Sequence, residues 1–204
     1  MNKSIIKLPL FPLDIFLLPD GVTRLRIFEA RYLKLVSLAI TSGFIITSNN
    51  ASSHNDGNAI REKKWGSWVD IINFDQGKDG ILEIDVKCRS LVEIIDIDDS
   101  QHQQINSNQA PLQFVNVKAI THWAQDNPTE SANQLLRSLQ TLFNGQLLLQ
   151  HLYNNKVVNN SHWVVARWLE LLPIPFEIKK SFIFKHNYHE AKTLVNSIIF
   201  KDIH

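Results

Sequence analysis

The sequence predicts an α+β fold: a β-rich part to about residue 121, interrupted by one helix, followed by a helical part to the end of the chain. Two observations carry this. Up to "LQFVNVKAI" the apolar residues alternate with polar ones, or run in short β-branched stretches between turns. From "NPTE" onward they recur every three or four residues between capping and breaking signals. The expected organisation is a β-rich subdomain over 1–121 and a helical subdomain over 122–204, joined directly, because no Pro-rich or Gly-rich linker separates them.

Within the first part, "TRLRI" sets Leu25 and Ile27 against Arg24 and Arg26, the period of a half-buried strand. "ILEIDV" does the same, with Leu82, Ile84 and Val86 on one face and Glu83, Asp85 and Lys87 on the other. Asp79-Gly80 before it suits a tight hairpin turn, and "WVDIINF" supplies the partner strand. "SLVEIIDI" and "LQFVNVKAI" continue the series, so the strands are expected to form a barrel or rolled sheet. The inserted helix is expected from Phe28, with Tyr32, Leu35, Val36 and Ala39 on its apolar face and Gly43 as its stop. Glu29 then falls in the first turn, where the helix dipole and unpaired N–H groups favour a carboxylate.

In the second part Asn127, Pro128 and Glu130 form a helix start, and Ala132, Leu135, Leu136, Leu139 and Phe143 mark one face. A second helix runs through Val164, Trp168, Leu171 and Leu172 until Pro173 and Pro175 close it. A short third begins at Pro175 and carries Ile178 and Phe182. The last has Asn187 as cap, Glu190 three residues on, and Ala191, Leu194, Val195, Ile198 and Ile199 on one face. One-sided helices of this kind must bury that side. The polar stretches 48–64 and 98–111 read as long surface loops.

The bulk numbers narrow the function. Of 204 residues 44% are hydrophobic and 20% charged, as in ordinary globular proteins. Twenty-one Lys and Arg against twenty Asp and Glu give a net charge of +1, without the basic excess of a nucleic-acid binder. The acidic "IIDIDDS" points the same way, against a single basic cluster "REKK" at 61–64. Pro9, Pro12, Asp14 and Pro19 break the apolar N-terminus, so no signal peptide is expected. No apolar run is long enough to span a bilayer. A cytoplasmic protein is expected, in which the sequons at Asn50 and Asn159 carry no meaning.

Catalytic signatures are missing. There is no phosphate-binding Gly-rich loop, no G-x-S-x-G elbow and no H-E-x-x-H. His186, His189 and Glu190 form the nearest approach to a metal set, but they sit where a helix begins and lack a fourth ligand. Asp98-Asp99 reads as a solvated turn. Cys88, the only cysteine, excludes an intramolecular disulfide and a Cys-rich zinc site, and is expected to be packed and inert. Among Trp65, Trp68, Trp123, Trp163 and Trp168, Trp168 is expected to be buried on its helix and Trp65 partly exposed beside a loop. No catalytic residue, metal site or cofactor is expected, and no binding residue is assigned.

"LPLFPLDIFLLPDGVTRLRIFEARYLKLV" (8–36) resembles the opening of the Lon protease N-terminal domain family, which reads Pro-Leu-Phe-Pro-Leu, a short strand to a Pro, then Leu-x-Ile-Phe-Glu-Pro-Arg-Tyr. Pro9 to Leu13, Pro19, Leu25, Ile27 to Glu29, Arg31 and Tyr32 match, with Ala30 in place of the usual Pro. "WGSWVDIINF" is similar to a later strand of that family, and "WVVARWLELLPIPFEIKKSFI" to its Leu-Leu-Pro helix. Cys88 stands for the family's Gly before Arg89, and Lys180 for a Gln. The resemblance implies a PUA-like β-barrel with one inserted helix and a C-terminal helical bundle. It also implies a non-catalytic module that recognises unfolded or peptide segments of other proteins, in the manner of an adaptor in protein quality control. The chain has no room for the ATPase and Ser–Lys peptidase of a full Lon protease, and its single cysteine rules out the zinc domain of cereblon relatives. Glu29 and Arg31 then fix a strand-to-helix corner rather than forming a catalytic dyad. RNA binding, known for PUA-like barrels, is the alternative function.

Overall fold

The computed structural model describes residues 4–48, 64–98, 111–123, 132–153, 157–184 and 187–200. The chain divides into two units: residues 1–15 with 23–120, and residues 16–22 with 121–204. The short segment 16–22, which lies inside the β-rich stretch of the sequence, thus groups with the helices.

The first unit is a six-stranded mixed sheet with one helix: β1 (Ile6–Pro12), β2 (Val22–Ile27), α1 (Ala30–Ala39), β3 (Phe44–Thr47), β4 (Trp65–Gln76), β5 (Leu82–Asp98) and β6 (Phe114–Ala119). Its strand order is β2-β5-β4-β3-β1-β6, and β6 also pairs with β5, so five strands form a closed circuit with β2 added at one side. β1 runs parallel to β3 and antiparallel to β6. Alternation sets the inward faces: Leu25 and Ile27 of β2, and Ile84 and Val86 of β5, are buried, as their period predicts. Leu8, Leu10, Ile45, Val92, Ile94, Val115 and Val117 form a core cluster, with Trp68 packed against it.

The hairpin between β4 and β5 turns at Gly80, whose φ is +80° and whose N–H donates to Gly77 O. "SLVEIIDI" is no separate strand. It is the second half of β5, which meets β4 along most of its length and β6 over Val92–Asp98. β3 carries no alternation, since Phe44, Ile45 and Ile46 are all buried.

α1 begins later than the apolar spacing suggests. Glu29 is its N-cap, in extended conformation, and the carboxylate makes no capping bond; the Glu29 carbonyl accepts from the Tyr32 and Leu33 N–H groups instead. Phe28 stands outside the helix, 73% exposed, while Tyr32, Leu35, Val36 and Ala39 face inward. Gly43 ends the turn with φ +72° and donates its N–H to Ala39 O. A Cβ there would lie 2.2 Å from Val69 O, so glycine is required twice over.

The second unit holds α2 (Asn133–Asn144), α3 (Leu147–Tyr153), α4 (Ser161–Leu171), α5 (Phe176–Lys180) and α6 (Tyr188–Ile199). The helix start expected at Asn127, Pro128 and Glu130 lies outside the described residues, and Ala132 is the N-cap of α2 rather than part of its face. Leu135, Leu139 and Phe143 are buried as expected. Asn160 caps α4 by accepting from the Trp163 N–H. The helix ends at Leu172, whose extended backbone is what a following proline imposes. Ile178 and Ile198 are exposed rather than packed, while Phe182, Ala191 and Val195 are buried. Trp168 donates its indole N–H to Leu135 O at 3.0 Å and ties α4 to α2. Among the described residues no helix is long and apolar enough to cross a membrane.

Candidate functional site

The first unit carries a groove of about 440 Å³, built almost wholly from the block of sequence around the strand-to-helix corner. Phe11, Pro12 and Leu13 at the end of β1 form one wall, Arg24, Leu25 and Arg26 of β2 another, and Phe28, Glu29, Arg31 and Tyr32 the corner. The groove exists because period-2 and period-3.6 segments meet within three residues: Ile27 must point inward, Phe28 then points out, and Tyr32 turns inward one helical turn later.

An aromatic floor underlies it. The Phe11 and Tyr32 rings lie 4.3 Å apart, and Phe44 backs Phe11 at 5.9 Å. Burial pushes the Tyr32 phenol above its ordinary pKa, so the ring stays neutral. The Arg31 guanidinium lies 4.5 Å over the Tyr32 ring and donates from Nε to Glu29 Oε2 at 2.8 Å.

The other two arginines are engaged from beneath. Arg24 bonds Asp85 through two nitrogens and Glu83 at 3.2 Å; its hydrogen bond to Asp85, above all, holds its pKa above the usual arginine value. Arg26 pairs with Asp79, and lies 3.6 Å from Glu83. Asp79 itself is held below the usual carboxylate range, first by the Ile81 N–H and then by Arg26. Each guanidinium thus has its counter-charge. The groove is apolar at its floor, polar at its rim and close to neutral, with exposed Phe28 at the mouth. Beside it β2 is the outermost strand in the sheet order among the described residues, next to β5.

Among the described residues no Ser, Cys, His or Lys lines the groove. Glu29 and Arg31 are brought together as the sequence leads one to expect of a corner. They are half-exposed, at 41% and 30% of their side chains, and they border the groove, which the sequence did not reveal.

The other singled-out residues lie elsewhere. Cys88 is buried. Trp65 is buried too, against the expectation of partial exposure, because β4 begins with it and pairs it to Glu93 of β5. Trp123, Trp163 and Trp168 are buried, and Trp68 donates to Ser42 O beneath Arg89. Asp98 pairs with Lys7; Asp99, His186 and residues 61–63 lie outside the described residues. His189 packs on Tyr188, and Glu190 accepts from Asn187. Among the described residues no group of three His, Cys, Asp or Glu is placed to hold a metal. Sequence reasoning does not single out Phe11 and Phe28, which line the groove. Phe28 was masked by its helical spacing from Tyr32, and Phe11 lies in another strand.

The described fold has known counterparts. A Lon N-terminal domain protein from Xanthomonas campestris is similar over 94% of this chain and 98% of its own, with 25% identity and a TM-score of 0.59. The N-terminal domain of a Mycobacterium avium complex Lon protease aligns over 94% and 97% with the same TM-score but 10% identity, a likeness of fold alone. No curated protein matches the chain. The family model for the ATP-dependent protease La (LON) substrate-binding domain matches residues 7–198, nearly the whole sequence and every element that builds the groove. The chain belongs to the Lon substrate-binding domain family.

Proposed function

We propose that this protein is a non-catalytic module that holds unfolded or extended segments of other proteins, as an adaptor in cytoplasmic protein quality control. The observation that carries it is the apolar groove walled in part by β2, the outermost strand of the sheet order among the described residues. A segment laid along β2 would gain main-chain hydrogen bonds from the edge, while a bulky side chain enters over Phe11 and Tyr32. Neutralised arginines favour this over an anionic ligand: each guanidinium already faces a carboxylate, so phosphate groups would have to displace Asp85, Asp79 or Glu29. We read the closed strand circuit as a PUA-like barrel, and the chain as a β-rich domain to residue 121 with a helical domain after it.

The test is fluorescence anisotropy with a labelled unfolded protein and a labelled single-stranded RNA, each at about 50 and about 200 mM salt. Weak binding of the polypeptide that barely changes with salt is expected. RNA binding that is tight and collapses at the higher salt would replace this function with the RNA-binding one.

A further inference from the structure

Three arginines line the groove, and their guanidinium groups are not engaged alike. Arg24 commits all of its guanidinium nitrogens to carboxylates, Nε and Nη2 to Asp85 and Nη1 to Glu83. Arg26 gives Nη2 to Asp79 in the turn between β4 and β5, and its side chain is half-exposed. Arg31 differs from both. Among the described residues its only directed hydrogen bond runs from Nε to Glu29 Oε2, so its Nη1 and Nη2 groups meet no protein acceptor.

Those two groups are nevertheless held in place. The Arg31 guanidinium lies 4.5 Å over the Tyr32 ring, so the phenol supports one of its faces. Tyr32 is itself fixed: it is 8% exposed and packs on Phe11, which packs on Phe44. The bond from Nε to Glu29 then restrains rotation of the guanidinium over the ring. Much of the side-chain freedom that a surface arginine loses on binding is thus lost before any ligand arrives. Charge narrows the ligand. The Glu29 carboxylate, 2.8 Å from Nε, offsets the positive charge and would repel a second anion brought against Nη1 or Nη2. The acceptor that suits such a site is neutral, and in an extended polypeptide that acceptor is the main-chain carbonyl.

We propose that Arg31 is a ligand-binding residue of the groove: its Nη1 and Nη2 groups donate to main-chain carbonyl oxygens of the held segment, beside the aromatic floor that receives a bulky side chain. In an extended chain every residue offers a carbonyl close to the next side chain, so one short stretch can reach Arg31 and the Phe11–Tyr32 floor together. Every polypeptide carries that carbonyl, whatever its sequence. The contact therefore holds a segment without reading it, and selection falls to the aromatic floor. Lysine could not take the place, because an ammonium lacks the planar fork and the flat face that rests on Tyr32. This assignment rests on the polypeptide-binding function and adds to it the residue that grips the chain itself.

The test is fluorescence anisotropy of the full chain with two labelled unfolded polypeptides of equal length and equal apolar content, one rich in lysine and one in glutamate. Wild type, Arg31→Ala, Arg31→Lys and Arg89→Ala are compared, each after thermal melting shows it folded. Arg89 is the matched control, since its guanidinium lies 4.6 Å over the Trp68 ring and bonds Asp70, outside the groove lining. Arg31→Ala and Arg31→Lys should each weaken binding of both polypeptides about tenfold, the effect of losing one charge-assisted hydrogen bond, and Arg89→Ala should weaken neither. Unchanged affinity in Arg31→Ala, full rescue by Arg31→Lys, an equal loss in Arg89→Ala, or a loss confined to the glutamate-rich polypeptide overturns the assignment and leaves the proposed function standing. Wild-type protein that binds neither polypeptide removes the proposed function, and the assignment with it.

Discussion

Arg24 of β2 grips Asp85 of β5 with two parallel hydrogen bonds, Nε to Oδ1 at 2.7 Å and Nη2 to Oδ2 at 3.0 Å. Asn73 of β4 donates to the same Oδ2 at 3.1 Å, so one buried carboxylate ties three strands. It also keeps Arg24 lying along the wall of the groove.

Asp85→Ala should therefore destabilise the fold by roughly 1.5–3 kcal/mol, the range for charge-assisted bonds lost from a buried partner. Urea unfolding measures it. Asp79→Ala, which breaks the solvent-exposed pair with Arg26, should leave the same transition unmoved.

Glu29→Ala and Arg31→Ala should each cost at most about 1 kcal/mol, because the pair is half-exposed and the carboxylate caps no N–H. Phe28→Ser should leave the melting temperature unchanged, since the ring already faces solvent. It should weaken polypeptide binding roughly fivefold, the worth of about 1 kcal/mol of apolar contact. Normal melting with unaltered binding in Phe28→Ser would remove the groove from the function.

Gly43→Ala should cost roughly 2 kcal/mol or more, combining left-handed backbone strain with the clash against Val69 O. The urea midpoint should fall while the slope of the transition stays as in the wild type. Gly80→Ala, with positive φ but open space around it, should cost less.

Stability should decline as pH rises from about 4.5 to about 7. Glu170 titrates near 7 in the folded protein against 4.5 as its ordinary value, so the folded state binds more protons within that window. Its share of the decline is up to roughly 3 kcal/mol, complete above the folded value. Urea midpoints at about pH 5, 6, 7 and 8 read it, and Glu170→Gln should flatten that part of the profile.

Sequence periodicity revealed β2 and the inward faces of α2 and α6, because each buries chiefly one side, whereas α4 was marked by its apolar run and its closing prolines although Trp163 to Leu169 are buried all round. β3 stayed hidden since its residues are buried on both sides and leave no alternation. α3 stayed hidden because Leu147 and Leu148 at its start are exposed, so its apolar residues do not mark the packed face. Glu29 and Arg31 stood out in sequence, yet the groove they border depends on Phe11, which arrives from another strand. Nothing in "VVARWLELL" signals that Arg167 is buried and paired with Glu170, because charged residues ordinarily mark a solvated face.

The pairing of Ile6 with Val117 joins positions about 110 residues apart in the chain, whereas β4 and β5 meet across a short turn. Loop closure over such a span is entropically costly, so the circuit should be completed late in folding, after the hairpin has formed. Pulsed hydrogen exchange should find amides of β4 and β5 protected before those that bind β1 to β6. On the ribosome, where the chain emerges N-terminal end first, β1 must wait for about 110 further residues before its second neighbour exists. Throughout that wait a strand of Leu8, Leu10 and Phe11 has an open edge, the kind of surface on which strands of other chains can pair.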